Sequence, residues 1–190
     1  MIRRALLLVV LGGVWAPGLI AQEPSDLDSA REVLSASART GGWWVTSNAA
    51  YWTEDSGEPR EYALMFELEP GGFSMRGCLW GVSNGEATAP YWYFFHAWDP
   101  SERAILAYQV SPTGVVAIGH ERPTGPRATE AIQRLHVPGQ DPAGIRHLNE
   151  WPHPDTLESR SFDQRGDGWE PRRSYTWIWT PSTGPGACAG

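Results

Sequence analysis

From residue 43 to residue 180 the chain alternates apolar and polar positions with a period of two, in short runs separated by polar turns. Such alternation is the mark of half-buried strands. The runs predict strands at about 43–52, 61–69, 73–81, 91–99, 104–110, 115–120, 128–136, 144–151, 156–164 and 172–180. Between them lie turn sequences: Asp55-Ser56-Gly57-Glu58, Pro70-Gly71-Gly72, Asn84-Gly85, Asp99-Pro100-Ser101-Glu102, Ser111-Pro112-Thr113-Gly114, Pro138-Gly139 and Asp163 to Gly168. Connections this short make each strand the antiparallel neighbour of the next. A meander that long closes on itself, because closure removes its exposed edges. The expectation is an all-β fold, an up-and-down antiparallel β-barrel of about 8–10 strands with a short N-terminal helix. Pro152 and Pro154 are expected to interrupt the eighth and ninth strands.

Outside the strand region the pattern changes. Residues 22–40 hold one helical candidate, in which Ser25 caps a run from Asp26 to Ala38 and Asp26 and Asp28 sit in the first turn. Leu27, Val33 and Leu34 give it a thin apolar stripe, suited to closing a barrel end. Before it, Met1-Ile2-Arg3-Arg4, an apolar run from Ala5 to Val10, Pro17 and Ala21-Gln22 follow the order of a secretory signal peptide. The apolar run is shorter than the roughly 20 residues of a membrane span. The division expected is a leader over 1–21, a helical segment over 22–40, one barrel domain over 41–181 and a tail over 182–190. That places the protein in a secreted or periplasmic setting. There the two cysteines, Cys78 and Cys188, either bridge the tail to a mid-chain strand or stay apart as a buried and a free thiol.

Composition narrows the chemistry. All 15 basic residues are arginine, against 22 acids, for a net charge of −7. So acidic a chain is poorly matched to nucleic acid or anionic lipid, and without lysine no Schiff-base or phosphate-loop amine is available. Eleven tryptophans sit mostly within the strands, and several strands are apolar on both faces. In the run 91–98, Trp92, Phe94, His96 and Trp98 share one face and Tyr91, Tyr93 and Phe95 the other. One face must point into the barrel, and the other needs a cover.

Gly41-Gly42-Trp43-Trp44 opens the first strand, and Arg172-Arg173 leads into the last, Tyr175-Thr176-Trp177-Ile178-Trp179. A Gly-x-Trp under an Arg near the final strand resembles the calycin signature shared by lipocalins and fatty-acid-binding proteins. Residues 41–180 resemble secreted bacterial lipocalin-like domains, in strand rhythm and in segments such as Trp44-Val45-Thr46-Ser47-Asn48 and Gly72-Phe73-Ser74-Met75-Arg76-Gly77. The resemblance implies that Trp43 or Trp44 plugs one barrel end and that Arg172 or Arg173 stacks across it. The chain lacks the Thr-Asp-Tyr of true lipocalins. It also lacks the Gly-x-Trp-x-Gly-x-Gly of haem-binding nitrobindin-like barrels, since Val45 and Thr46 stand where glycines would. No cofactor and no metal are expected.

The candidate ligand-binding set is Trp92, Phe94, His96, Trp98, Tyr108, Arg76, Glu67 and Arg134, for a small apolar or amphipathic molecule. Glu67 and Arg76 are candidates to pair inside the barrel, and Glu130 and Arg134 share a strand face with His136. A cluster of Glu67, Arg76 or Glu130 with tyrosines inside the cavity would instead suit an enzyme acting on a small phenolic or acidic substrate. Tryptophans exposed in a coplanar row would suit a carbohydrate-binding or interaction module. His147, Glu150 and His153 are the nearest set of metal-type side chains, but on a strand 147 and 150 point to opposite faces. Gly119-His120-Glu121-Arg122, beside Pro123, reads as a strand end. No serine nucleophile motif is present, and oligomeric state is not legible.

Overall fold

The structure, a computed structural model, describes residues 25–181 and Cys188. The expected leader and most of the tail lie outside the described residues. Helix α1 spans Asp26–Ser37, with the Ser25 hydroxyl accepting from the Asp28 amide at 3.2 Å. Ten strands follow: β1 (Gly42–Ser47), β2 (Glu61–Leu68), β3 (Ser74–Ser83), β4 (Glu86–Asp99), β5 (Ala104–Val110), β6 (Val116–Gly125), β7 (Ala128–His136), β8 (Ala143–His153), β9 (Thr156–Arg165) and β10 (Gly168–Pro181). Each pairs antiparallel with the next, and β1 pairs with β10 to close the barrel. The architecture is the all-β up-and-down barrel expected from the alternation.

The differences from expectation are local. β1 stops at Ser47, because the Asn48 carbonyl accepts from the amides of Tyr51 and Trp52, both at 2.9 Å, and turns the chain. β4 begins at Glu86, ahead of Pro90, and register shifts between Leu79 and Val82 of β3 accommodate that proline. β8 runs through Pro152 rather than breaking there; the shift between Glu150 and His153 absorbs the missing donor. β6 likewise passes Pro123 with a shift at Pro123/Gly125. At the β3–β4 turn Asn84 and Gly85 both take positive φ, 54° and 78°, as a tight right-twisting hairpin needs.

The two ends of the barrel differ. At one end α1 packs Ala30, Val33 and Leu34 against Trp44, Ile105, Trp151, Leu157 and Trp177 in a single apolar cluster. Trp44 is wholly buried, donates its indole N–H to the Ser37 carbonyl at 3.1 Å, and meets Trp179 edge to face with centroids 5.4 Å apart. The helix and these rings plug that end. On the outer wall Trp43 packs with Ala63 and Val82 in a smaller cluster. Cys78, also on the outer wall, is disulfide-bonded to Cys188, drawing that point of the tail onto β3. No helix among the described residues is long and apolar enough to cross a membrane.

Candidate functional site

Because side chains alternate along every strand, the pairing register decides which residues face inward. On β4 the inward set includes Phe94, His96 and Trp98, leaving Phe95 outside and 44% exposed. Inward residues of β2 to β10 enclose a cavity of about 500 Å³. Its walls are mostly apolar, with rings from Tyr62, Phe66, Tyr91, Trp92, Phe94 and Trp177 among them. Trp151, Leu157 and Ser37 line it toward the plugged end, and Glu58, Val115 and Val137 line it at the opposite end, the mouth.

A polar band crosses this apolar interior. Glu121 on β6 is 3% exposed, and its carboxylate accepts from the Thr129 hydroxyl and, at 3.4 Å, from the Asn149 amide. His96 Nδ1 lies 3.2 Å from the other Glu121 oxygen, out of line for a good hydrogen bond, and His96 Nε2 has no partner among the described residues. Burial pushes the Glu121 carboxyl up, but the His96 contact, with Thr129 and Asn149, outweighs it and holds the group below its ordinary value. Glu121 is therefore ionised at neutral pH. His147 on β8 faces the same cavity and has no hydrogen-bond partner in the protein among the described residues. Burial lowers it to about 4; nearby Glu121 opposes the shift, and Arg172 and His96 add to it. It is a neutral imidazole at physiological pH. Gln133 completes the band, donating to the Ala107 carbonyl and accepting from Gln109, both at 3.0 Å.

The mouth carries its own network. Arg173 forks onto both oxygens of Glu58, at 2.6 and 3.0 Å, and also donates to the Tyr175 hydroxyl at 3.0 Å. That hydroxyl donates to Asn48 Oδ1 at 2.9 Å, and the Asn48 amide returns to Glu58 at 3.1 Å. Arg173 holds the Glu58 carboxyl below its ordinary value, while burial pushes the Tyr62 and Tyr175 phenols up. Arg172 also lines the mouth and is 3.4 Å from Asp163.

Of the residues expected at the site, Trp92, Phe94 and His96 line the cavity, and Trp98 packs into the core beneath it. Four are not brought to it. Glu67 and Arg76 pair at 3.1 Å on the outer wall, because Phe66 and Met75 take the inward positions beside them. Tyr108 aligns on the outer wall with Phe95 and Ile118, and Arg134 with Ile118, while Ala107, Gln109 and Leu135 face in. Glu130 is also outside, bound to Arg146, so the expected acid–base cluster does not assemble in the cavity.

The Trp44 plug is in place, but its cation is neither Arg172 nor Arg173, both of which stand at the opposite end. Arg39, just after α1, lies 4.6 Å over Trp179 and 5.9 Å from Trp44. The side chain that closes the plug thus comes from the N-terminal segment rather than from the last strand.

His147 faces inward, whereas Glu150 points outward to Arg160 and His153 is exposed; no three metal-type side chains converge among the described residues. None of the described tryptophans is exposed, so no ring row stands on the surface.

Sequence reasoning missed Asn149 altogether, and named Glu121 and His147 without placing either in the cavity. Glu121 looked like a strand end, but β6 continues past it to Gly125. The available signal was the run Ala117, Gly119, Glu121, in which an acid shares a face with small residues; across the sheet Glu121 pairs with Ile105 and Ala131.

The sequence matches no protein-family model and no curated protein. The closed ten-stranded barrel is consistent with a calycin-like fold.

Proposed function

We propose that this chain is a secreted lipocalin-like protein that takes a small apolar or amphipathic molecule into its barrel. The observation that carries the reading is the cavity of about 500 Å³, plugged at one end and lined by aromatic rings around a narrow polar band. Its size and its ratio of apolar walls to a few polar groups are those of small-molecule sites. Secretion is supported by the leader-like residues 1–21 and by the Cys78–Cys188 bridge, a bond that persists in oxidising compartments.

Native mass spectrometry of the protein purified from its own secretory compartment tests this reading. The expected result is an added mass on the native ion that is lost on denaturation. A native mass equal to the denatured mass, together with no uptake of apolar aromatic probes, overturns it.

A further inference from the structure

We infer that the barrel selects neutral aromatic hydroxyl compounds, phenols or hydroxylated rings, and that His147 holds the hydroxyl. The inference rests on the ligand-carrier reading and specifies the chemistry of that same cavity.

Three observations lead to it. The first concerns charge. Three arginines line the cavity and each already holds a carboxylate: Arg173 on Glu58, Arg172 on Asp163 and Arg160 on Glu150. Deeper in, the ionised group is Glu121, answered within the band by His96 alone. A carboxylate ligand entering the band finds no uncommitted guanidinium and meets the Glu121 charge at low dielectric, which disfavours it strongly.

The second is hydrogen bonding. Glu121, Thr129, Asn149, Gln109 and Gln133 satisfy one another or the backbone. His147 does not: it is neutral, lines the cavity, and makes no hydrogen bond among the described residues; of the other unpartnered cavity groups, the His96 ring lies against Glu121 at 3.2 Å and the Trp151 indole offers a donor only. A neutral imidazole offers one donor and one acceptor. A hydroxyl is the small neutral group that both donates and accepts at a single atom, so it answers His147 with either nitrogen. A purely apolar ligand that displaces water from the imidazole leaves it unsatisfied, at a cost.

The third is shape. Phe66 and Phe94 stand edge to face at 5.5 Å, and Tyr62 meets Tyr91 likewise at 5.7 Å. Walls of ring edges and faces extend the same packing to an aromatic guest.

Equilibrium dialysis of the disulfide-intact protein at neutral pH against naphthalene, 2-naphthol and 2-naphthoate, which share one ring system, tests the inference. The wild-type protein is expected to bind 2-naphthol about fivefold to tenfold more tightly than naphthalene, the worth of one neutral hydrogen bond, and 2-naphthoate most weakly. His147→Phe should bring 2-naphthol down to the level of naphthalene while leaving naphthalene bound, and His147→Gln should keep much of the preference. Retained naphthalene binding also shows that the variant cavity has folded. The inference is overturned if 2-naphthoate binds as well as 2-naphthol, or if His147→Phe leaves the hydroxyl preference intact; in both cases naphthalene binding would leave the carrier reading standing. Failure of all three compounds to bind overturns the carrier reading and this inference together.

Discussion

Arg173 and Glu58, 115 residues apart in the chain, form a two-pronged ion pair across the mouth of the barrel. The pair ties the loop before β2 to β10 and, through Tyr175 and Asn48, fixes one side of the opening. Both side chains are about a quarter exposed, so water weakens the attraction without removing it. Arg173→Met strands the Glu58 carboxylate and takes a donor from the Tyr175 hydroxyl, and should lower stability by about 1–2 kcal/mol in urea unfolding. Arg173→Lys should recover only part, since an ammonium cannot make the fork. An unchanged midpoint for Arg173→Met would show that solvent replaces the whole network.

Trp44 sets the plugged end. Its indole is fully buried among α1, Trp179 and Arg39. Trp44→Ala should cost about 3–5 kcal/mol, and Trp44→Phe less. Amide hydrogen exchange should show the loss first in α1, which depends on that ring for its cover. Uniform loss of protection across the barrel would contradict the plug role.

The disulfide closes a loop of 110 residues. In the chain-entropy view a closure of that length adds up to about 4–5 kcal/mol by restricting the unfolded chain. The Cys78→Ser/Cys188→Ser double variant should therefore unfold at lower urea, with the cavity and its ligand preference kept, because both cysteines lie outside the barrel lumen. Loss of ligand binding in a folded double variant would refute that separation.

His147 makes stability depend on pH in a defined window. Its folded value is about 4, below the 6.5 of an unperturbed imidazole, because burial disfavours the charged ring. Between these values the unfolded chain binds the proton more readily, so stability falls as pH drops from about 6.5 to about 4 and this contribution is flat below. The loss is at most about 3 kcal/mol, and less where water enters the cavity. The groups acting on the ring are Glu121 on β6, which favours its charge, and His96 on β4 and Arg172 on β10, which oppose it. His147→Gln should flatten this part of the urea midpoint against pH. An unchanged profile would place the acid sensitivity elsewhere, at Glu121 or Glu58, whose lowered values give losses at lower pH.

The sequence by itself determined the class of this fold and most of its strand boundaries. Period-two runs between Gly, Pro, Asn and Asp turns leave few alternatives to an antiparallel meander, and ten such strands close because an open edge is unstable. The β5 and β7 limits, 104–110 and 128–136, were legible to the residue. The helix was legible from one cap and three apolar positions. The prolines were misleading as strand breakers, because a register shift removes the need for the missing amide and the strand continues.

Only the tertiary structure decided which face is inside. Alternation states that Phe94 and His96 share a face, and that Tyr108 and Arg134 lie on strands; it does not state which face looks inward. The close fit of Phe66 over Gly77 and of α1 against Trp44 selects one register, and every side chain follows from that choice. Glu67 and Arg76 thereby went outward as a solvated pair, while Glu121 and His147 went inward. The identity of the cation over Trp44 was equally invisible, since Arg39 and Trp179 are 140 residues apart and meet only when β10 returns to β1. The polar band depends on the same closure: β4, β6, β7 and β8 each supply one or more of its groups, and only the curvature of the closed sheet brings them to one depth.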